Sequence, residues 1–277
     1  LSRIENATLE ISGALAETNF FDDAASTPGT FTTSGRSIEL SDGGLLRLDD
    51  EVTLDVFGIS LFGGRLEVFG EARLSSFIGV SGAIGSVAGD GTLTGGLDVG
   101  RVEIGRDHST TGTLTVEGTT AFQVQSQLVI DILSDDTYDA LEANGYLFIQ
   151  TGERDGAELI INLAEDYVPA VGRRFPIMVA NEISGTFDKI CDSSPLVDFV
   201  PSVEESTLTI EAVPDPLGEF RLQYGLPLDG SMDNEDASGN GLANVLYYAF
   251  GLGDPTEAGV DPDRLPSITL VPETNEL

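Results

Sequence analysis

The sequence predicts an all-β protein whose short strands stack as successive coils of a solenoid. Apolar and polar residues alternate through residues 112–133, as is typical of strands that bury one face and leave the other in water. Glycine-led units of this kind begin at Gly64, Gly91 and Gly112, roughly 21 to 27 residues apart, which is about the length of one coil. The 33 glycines and the absence of tryptophan also favour many turns and few bulky anchors.

Residues 1–134 are predicted to form the coils. A β-sandwich would give short strands at a similar spacing, but the repeated coil favours a solenoid, in which each strand pairs with its counterpart one coil away. We therefore expect Leu54, Leu66, Leu93 and Leu114 to point inwards. The alternating units lie at residues 7–12, 37–40, 45–48, 52–56, 65–68, 92–94, 102–104 and 113–116.

Residues 135–212 are predicted to form a closing β segment, because the strands there become longer and more apolar. Residues 213–218 then read as a linker, since Pro214 and Pro216 remove backbone donors and stop strand pairing. The predicted strands of the closing segment lie at residues 145–149, 158–163, 175–180 and 207–210.

Residues 219–256 are predicted to form a helix, an acidic loop and a second helix. Gly225 ends the first helix, and the second, at residues 242–250, ends at Gly251. Residues 257–277 are predicted to start a further, incomplete β segment with a strand near its end. The C-terminal part of the chain is thus expected to be a separate small module.

The acidic loop at residues 229–244 has the spacing of calcium ligands. Counted from Asp236 as the first ligand, oxygen-bearing groups fall at the third, fifth, seventh and ninth positions, and Gly241 at the sixth permits a sharp turn. The twelfth position, where a bidentate Glu would close the shell, is Tyr247, so the loop is either a weak Ca²⁺ site or a solvated acidic turn. An additional acid such as Asp254 could complete the shell. The predicted ligands are Asp229, Asp233, Asp236, Ser238, Asn240, the carbonyl of Leu242, and Asn244.

The later part of the β region resembles the autotransporter-type passenger β-helices of secreted bacterial proteins. The order of the matching segments is the specific part of this resemblance, which covers about half of the chain. It implies a right-handed parallel β-helix that acts as a scaffold. No membrane-barrel sequence follows, so another export route or a further domain is expected. The matching segments are residues 112–116, 126–132, 138–141, 159–163, 169–172 with Phe175, and 183–187.

The acidic loop and the second helix resemble the helix-flanked calcium repeats of secreted bacterial proteins, of the dockerin-like and thrombospondin-type-3-like kind. The matching residues are 229–231, 236–244 and 248–252, followed by Asp254 and Pro255. The resemblance implies a small module that calcium stabilises.

The formal net charge of −34, from 47 acidic against 13 basic residues, excludes two kinds of partner. Nucleic acids and anionic lipid surfaces would be repelled, and no apolar run reaches the roughly 20 residues that a membrane helix needs. Salt or calcium relieves such self-repulsion. The charge therefore favours saline or calcium-containing surroundings, and the resemblances imply a bacterial protein that is secreted or exposed on the cell surface. Cys191 is the only cysteine, so no disulfide can form within the chain.

Few residues are candidates for catalysis. His108 is the only histidine, and its neighbours Asp107 and Ser109 are adjacent in sequence, whereas a base, a nucleophile and an orienting group normally need tertiary separation to face one another. Asp55 and Asp131 alternate with apolar residues, so we expect both to point outwards. Such a pair could act as acid and base on a polysaccharide, but solvated acids are the simpler interpretation in this chain.

The leading functional prediction is a non-enzymatic structural protein, namely a stalk, matrix or filament component. Its predicted partners are copies of itself or neighbouring coils of a larger chain, and extracellular polysaccharide. One alternative is a β-helical polysaccharide-active enzyme such as a lyase, for which Arg65, Arg101 and Arg106 are the available bases. The other is a glycan-binding adhesin, for which exposed aromatic side chains would be the sign. The phenylalanines concerned are Phe20, Phe21, Phe57, Phe62 and Phe69.

Overall fold

The computed structural model describes residues 2–5, 8–12, 30–32, 37–49, 52–152 and 156–257. The chain divides into two compact units. One consists of residues 1–194 and 198–213, and the other of residues 195–197 and 214–277.

The described residues form 22 strands and two short helices, which confirms the all-β prediction. The first eleven strands are β1 (Ser2–Glu5), β2 (Thr8–Ser12), β3 (Thr30–Thr32), β4 (Ser37–Ser41), β5 (Leu45–Asp49), β6 (Thr53–Val56), β7 (Gly58–Phe62), β8 (Arg65–Val68), β9 (Arg73–Ser76), β10 (Val80–Gly89) and β11 (Thr92–Thr94). The others are β12 (Leu97–Ile104), β13 (Thr113–Glu117), β14 (Thr120–Phe122), β15 (Gln127–Ser134), β16 (Thr137–Tyr138), β17 (Ala140–Ile149), β18 (Glu158–Leu163), β19 (Arg174–Ser184), β20 (Lys189–Asp192), β21 (Val197–Glu204) and β22 (Thr207–Pro214).

The strands of the first unit pair in parallel as three stacks. The first stack contains β1, β4, β7, the start of β10, the start of β12, β14, the end of β17 and the end of β19. The second contains β2, β5, β8, the end of β10, the end of β12, β15, β18 and β20. The third contains β3, β6, β9, β11, β13, the start of β17 and β19.

The chain visits the three stacks in the same order again and again. Strands that follow each other in sequence, such as β5 and β6, therefore lie in different stacks and pair with strands further along the chain. The number of residues along the chain between one paired residue and its partner varies from one strand pair to the next. Arg101 lies opposite Gln127, 26 residues away, and Gln127 lies opposite Glu158, 31 residues away. This unevenness explains why the repeat is degenerate in the sequence.

The core is formed by the inward side of each strand. The four leucines predicted to point inwards, Leu54, Leu66, Leu93 and Leu114, are at most 2% exposed. Apolar side chains of the second stack lie directly above one another, as the parallel register requires. In order they are Leu46, Leu66, Val87, Val102, Leu128 and Leu159.

Glycines allow close approach where the chain passes from the third stack to the first. Gly95 has a φ of +94°, and a Cβ added there would lie 2.3 Å from the carbonyl oxygen of Ser76. A Cβ added at Gly118 would lie 2.0 Å from the carbonyl oxygen of Gly95. Any larger residue at these corners would push successive turns of the chain apart.

The parallel arrangement changes at the end of the first unit. β19 pairs with β22 antiparallel, with Phe175 opposite Ile210, and both side chains are fully buried. The predicted closing segment thus contains longer strands, and its last pairing runs in the opposite sense.

The second unit contains two helices, α1 (Pro216–Gln223) and α2 (Asn244–Phe250). Strand β22 ends at Pro214, so only Asp215 separates it from α1, where a linker was expected at residues 213–218. The Asp215 carboxylate accepts a hydrogen bond from the Leu217 N–H, which caps α1 three residues earlier than predicted, and proline fits the first helical position. Residues 258–277, where a further strand was predicted, lie outside the described residues.

Candidate functional site

The acidic loop folds around the Asp236 carboxylate. This carboxylate accepts hydrogen bonds from the backbone N–H groups of Gly241 at 2.5 Å and Asn240 at 3.1 Å. These bonds, that of Gly241 first, hold the pKa of Asp236 below its ordinary value. Gly241 has a φ of +89°, which suits the sharp turn predicted for it.

Tyr247 occupies the twelfth position of the predicted calcium loop and is only 2% exposed. Its hydroxyl lies 3.2 Å from the Ser238 Oγ and also accepts a hydrogen bond from the Asn240 side-chain amide. The side chains at the third and fifth ligand positions are therefore held by the tyrosine hydroxyl.

The remaining predicted ligands are also bound to other protein groups. Asn244 is fully buried, and its side chain accepts from the Ala237 N–H and donates to the Met232 carbonyl at 2.7 Å. Asp233 forms a two-point ion pair with Arg221, with distances of 3.0 and 2.6 Å. Asp229 accepts a hydrogen bond from the Ser231 N–H, and the Leu242 N–H donates to the Asn240 side chain, which leaves the Leu242 carbonyl outside this contact.

As the loop is folded, these groups do not fit a closed calcium shell. Only Asp236 contributes a carboxylate from the counted positions, and its oxygens are engaged by backbone donors. Among the residues that the structure describes, no group of three or more His, Cys, Asp or Glu side chains is placed to hold a metal ion. Calcium would have to replace internal hydrogen bonds, so calcium binding stays a prediction and a weak site is the form that it would take.

A second cluster of polar residues lies at the end of β15. The Asp131 carboxylate accepts from the Asn162 side-chain amide at 2.8 Å, and both of its oxygens lie 3.0 Å from His108 Nδ1. Asp139 closes the cluster, because its carboxylate accepts from the backbone N–H groups of Asp131 and Gly112, each at 2.8 Å. The cluster joins the loop that carries His108 to two strands of the second stack.

Asp131 was expected to point outwards as a solvated acid, and the expected solvation is wrong. Asp131 lies on the outer side of its strand as alternation predicts, but it is only 3% exposed because His108 and Asp139 cover it. Asp55 lies in β6 of the third stack, whereas Asp131 lies in the second. The two carboxylates therefore do not form an acid–base pair across one strand register.

Burial raises the pKa of Asp139 above that of an ordinary aspartate. Its carboxyl group is fully buried, and this burial, together with the nearby charges of Asp131 and Asp90, raises its pKa to about 7 against the opposing hydrogen bonds from Gly112 and Asp131. Sequence reasoning missed Asp139, because nothing in its local pattern distinguishes it from the other acids of the chain.

The loop that carries His108 has no nucleophile aimed at the imidazole. The Ser109 hydroxyl donates to the Asp107 carboxylate at 2.6 Å, and Thr110 contacts the same carboxylate. The His108 side chain is 76% exposed, and its Nδ1 faces Asp131. The arrangement orients the histidine and ties down its loop.

A continuous line of charged and polar side chains follows the outer face of the second stack. Neighbouring members are joined by contacts of 2.5 to 2.8 Å from Arg47 to Glu158, where Lys189 forms the last pair. We call this set the charge ladder. Its members, in order, are Arg47, Glu67, Arg65, Glu103, Arg101, Gln127, Glu158 and Lys189.

The charge ladder depends on small residues in β10. Ser86 and Ala88 occupy the outward positions there, opposite Arg65 and Glu67. Because these side chains are short, the Arg65 guanidinium reaches over β10 to Glu103 on the next strand, at 2.6 Å. The sequence gives no sign of this contact, since the two residues lie on β8 and β12, which are separated by β10 in the stack.

Basic side chains of the ladder stabilise its carboxylates. Burial alone would raise the pKa of Glu103, but hydrogen bonds and charge from Arg101 and Arg65 lower it below its ordinary value. The pKa of Glu158 is lowered as well, chiefly by Lys189. The three arginines considered as bases for a lyase are thus all engaged in ion pairs, because Arg106 also pairs with Asp49 through two contacts of 2.6 and 3.0 Å.

The phenylalanines considered for glycan binding separate into two groups. Phe69 is 1% exposed and lies beneath Arg106, whose guanidinium carbon is 4.6 Å from the ring centre. Phe57 and Phe62 are 39% and 54% exposed. Phe20 and Phe21 lie outside the described residues.

Comparison with known proteins gives no relative for this chain. No protein-family model matches it, and no curated protein matches it significantly. Of the two helices that the structure describes, neither is long and apolar enough to cross a membrane.

Proposed function

We propose that the first unit is a right-handed parallel β-helix that serves as a structural scaffold without enzymatic activity. The parallel registers, the repeated order in which the chain visits the three stacks and the aligned inward leucines support this architecture. The resemblance to autotransporter-type passengers agrees with it and adds the handedness. The resemblance to helix-flanked calcium repeats gives the second unit the role of a small accessory module.

The charge ladder is the observation that carries the scaffold function. It joins strands from β5 to β20 by side-chain contacts, and it includes Arg65 and Arg101, two of the three arginines that a polysaccharide lyase could use. Networks of this kind rigidify a stack, because each charged group has partners on both sides. An Arg or Lys acting as a catalytic base would instead have to be available to substrate.

The proposal is tested by resistance to unfolding and by turnover in parallel. The purified chain is exposed to a nonspecific protease, and Glu103→Gln, which breaks the ladder at its centre, is compared with Glu117→Gln, which breaks the exposed pair with Arg73. A scaffold held by the ladder is digested severalfold faster in the Glu103→Gln variant and almost unchanged in the Glu117→Gln variant. Equal digestion of all three proteins would remove the support that the ladder provides.

The turnover measurement separates the scaffold from an enzyme. Neutral and acidic polysaccharides are incubated with the chain, and new reducing ends and the ultraviolet absorbance of unsaturated products are followed. A scaffold gives neither signal. Turnover that disappears in Arg101→Gln or His108→Ala would establish the polysaccharide-active alternative.

A glycan-binding adhesin is the second candidate, favoured by the exposure of Phe57 and Phe62. Aromatic faces can stack on sugar rings, but orientation of a sugar also needs hydrogen-bonding groups nearby. Retention in gels that contain a neutral polysaccharide, and loss of that retention in Phe62→Ser, would support it.

We also propose that the protein is secreted or exposed on a bacterial surface, where salt screens its charge of −34. Antibodies against the chain should label intact cells of the source organism or detect the protein in the culture medium. Detection only after cell lysis would contradict this location.

A further inference from the structure

The connection between β12 and β13 is longer than the fold requires. It takes residues 105–112, whereas the same passage from the second stack to the third takes residues 69–72 between β8 and β9 and residues 90–91 between β10 and β11. The additional length lies over the outer face of the second stack, where its side chains reach other strands. We call residues 105–112 the strap.

One anchor of the strap is a permanent charge. The Arg106 guanidinium donates to both oxygens of Asp49, at 2.6 and 3.0 Å, and lies 4.6 Å from the ring centre of Phe69. Asp49 ends β5, so this contact spans 57 residues of the chain. Because arginine stays protonated in proteins, the cation of this anchor is the same at pH 5 and at pH 8.

The other anchor of the strap contains titratable groups. His108 Nδ1 lies 3.0 Å from both oxygens of Asp131 on β15, and the Asn162 side-chain amide on β18 lies 3.4 Å from the same nitrogen. Asp131 is buried although His108 is exposed, so the imidazole covers the carboxylate. Asp107, the one acid in the sequence of the strap, is exposed and accepts from the Ser109 hydroxyl.

Asp139 lies beneath both ends of the strap. Its Oδ1 accepts the N–H of Gly112, where the strap ends, at 2.8 Å. A Cβ added at Gly105, where the strap begins, would lie 3.2 Å from the same oxygen. The other oxygen accepts the N–H of Asp131, and the whole residue is fully buried. Lifting the strap is therefore a direct route by which water reaches this carboxyl group.

Acids surround Asp139 on neighbouring elements. Asp131 contacts it from β15, and Asp90 lies beyond Gly112, since a Cβ added at Gly112 would be 3.1 Å from Asp90 Oδ2. Burial, and then the charges of Asp131 and Asp90, raise the pKa of Asp139 to about 7 against its hydrogen bonds. The closed strap thus favours the protonated carboxyl group.

Neither base of the strap is directed to Asp139. Arg106 donates to Asp49, and His108 faces Asp131. When Asp139 ionises, its charge therefore lies beside that of Asp131, and the two carboxylates repel one another. Water stabilises the new charge only when the strap no longer covers it.

We propose that the strap is a pH-sensitive clasp, which is closed on β15 in mildly acidic solution and whose His108 end is released as the pH rises through neutrality. Ionisation of Asp139 drives the release, because the closed form must hold two neighbouring carboxylates of like charge. The contact between Arg106 and Asp49 keeps the other end attached. Release uncovers Asp131 on the outer face of the second stack.

The direction of the effect follows from proton linkage. Asp139 binds its proton more tightly in the closed form, where its pKa is about 7, than in the open form, where a solvated aspartate has a pKa near 4. Opening therefore releases a proton. The opening constant rises by up to about tenfold for each pH unit between about 4 and 7 and then levels off, so we expect at least a tenfold rise between pH 5 and pH 8.

The test is amide hydrogen exchange of the intact chain at pH 5, 6, 7 and 8, with rates corrected for the intrinsic pH dependence of exchange. The Gly112 amide is the reporter, because it donates to Asp139. Its opening constant should rise at least tenfold between pH 5 and pH 8. Amides of β5 and β18 should show a smaller change, since the strap opens locally.

Variants identify the group that responds to pH. Asp139→Asn should lose the rise, while the matched control Asp98→Asn, which removes an exposed acid from β12, should keep it. His108→Gln should open the strap at every pH and keep the rise. If Asp139→Asn does not fold, Asp90→Asn serves instead: it removes one negative charge near Asp139 and should shift the midpoint of the rise to lower pH.

Three results would overturn the clasp. They are an opening constant that does not change with pH, a rise that persists in Asp139→Asn, and a rise of equal size in β5 and β18, which would show that the whole unit is destabilised. The scaffold proposal is tested separately, through protease resistance that depends on Glu103. A strap that stays closed at pH 8 in a chain with that resistance would remove the clasp and leave the scaffold.

Discussion

The first and second stacks share one inward pattern and have opposite outer faces. Inside, both present aligned apolar side chains, such as Leu61 and Leu66, which are fully buried. Outside, the second stack carries the charge ladder, whereas the first carries the exposed Phe62 and the acids Glu39 and Asp98 of β4 and β12, which are not members of the ladder. The inward side therefore defines the fold, and the outward side distinguishes the surfaces that the fold offers to partners.

The difference also shows how an acid-rich chain manages its charge. Acids on the second stack lie between arginines, so that Glu103 has Arg65 on one side and Arg101 on the other. Strands β7 and β14 of the first stack contain no charged residue, but Glu39 on β4 and Asp98 on β12 remain in that stack. Pairing of acids with arginines therefore stabilises the second stack, whereas Phe62, at the end of β7, stays exposed to water.

The largest expected effect comes from placing a charge on the inward side of a strand, which is apolar in all three stacks. Leu114→Asp buries a carboxylate at a fully buried position with no basic partner nearby in register, and should cost about 4 kcal/mol or more of unfolding free energy. Ser81→Asp, on the exposed side of β10, should change it by no more than about 0.5 kcal/mol. Urea unfolding measures both. Similar values for the two variants would contradict the inward and outward assignment.

The next largest effect is a pH dependence that arises on the side of the second stack. Because the pKa of Asp139 is raised to about 7 in the folded protein, folding favours its protonated form. Its contribution is fully present below the unfolded pKa near 4 and is lost as the pH rises through about 7, which amounts to about 2 to 3 kcal/mol between pH 5 and pH 8.

The test is urea unfolding at several pH values for the unmodified chain and for Asp139→Asn. The variant should lose the slope between pH 5 and pH 8, although it is less stable at pH 5 because one oxygen replaces two acceptors. The charged neighbours Asp131, Asp90 and His108 are unchanged, so a slope that persists would assign the dependence to them. Below about pH 4.5 the sign reverses, because Glu103 and Glu158 have lowered pKa values and lose their ion pairs on protonation.

A smaller effect is expected from breaking the charge ladder at Glu67. Glu67 is 6% exposed and forms ion pairs with both Arg47 and Arg65, whose side chains are each about one-third exposed. Glu67→Gln should lower the unfolding free energy by about 1 to 2 kcal/mol, since solvent still reaches the arginines. Glu117→Gln, which breaks an exposed pair with Arg73, should cost less than about 1 kcal/mol. Equal effects would mean that the ladder stabilises no more than isolated surface pairs.

The smallest expected effect concerns the acidic loop of the second unit, where acids are held by internal donors as they are in the ladder. If calcium binds weakly, with a dissociation constant of about 1 mM, tenfold excess stabilises the loop by about 1.4 kcal/mol. Calorimetry should show this binding, and Asp236→Ala should abolish it. The variant Asp229→Asn tests whether the first acid of the loop also contributes to calcium binding. An absence of heat at millimolar calcium would leave the loop as a turn held by Tyr247 and Asp236 alone.

Local patterns predicted the elements that depend on neighbouring residues. Alternation placed Leu54 and Leu114 inwards, and Gly251, with a φ of +60°, ends α2 as expected. The start of α1 was missed because prolines were taken as interruptions, whereas Pro216 occupies the first position of the helix. Each of these features is set within a few residues of the chain.

Which outward side chains are exposed depended on contacts between residues distant in sequence, and no local pattern predicts such contacts. Phe57, Phe62 and Phe69 are the same residue type in similar contexts, yet Phe69 is covered by Arg106 and the other two are exposed. Asp131 alternates like a solvated acid, but His108, 23 residues earlier, covers it. The exposure of these side chains is decided by whether a residue from another part of the chain packs over them.

The sequence by itself determined that the chain forms short strands with one apolar side, because side chains alternate between the two faces of a strand whatever surrounds it. It also determined the overall charge. Only the tertiary structure decided that Arg65 meets Glu103, that Asp139 is buried beside Asp131, and that Phe57 stacks on Phe77. Asp139 reaches Asp131 through the antiparallel pairing of β15 with β16. The contact between Arg65 and Glu103 depends on the register of β8, β10 and β12, whose paired residues lie 21 and 15 residues apart, and that register is set by the unequal lengths of the loops, which carry no periodic signal.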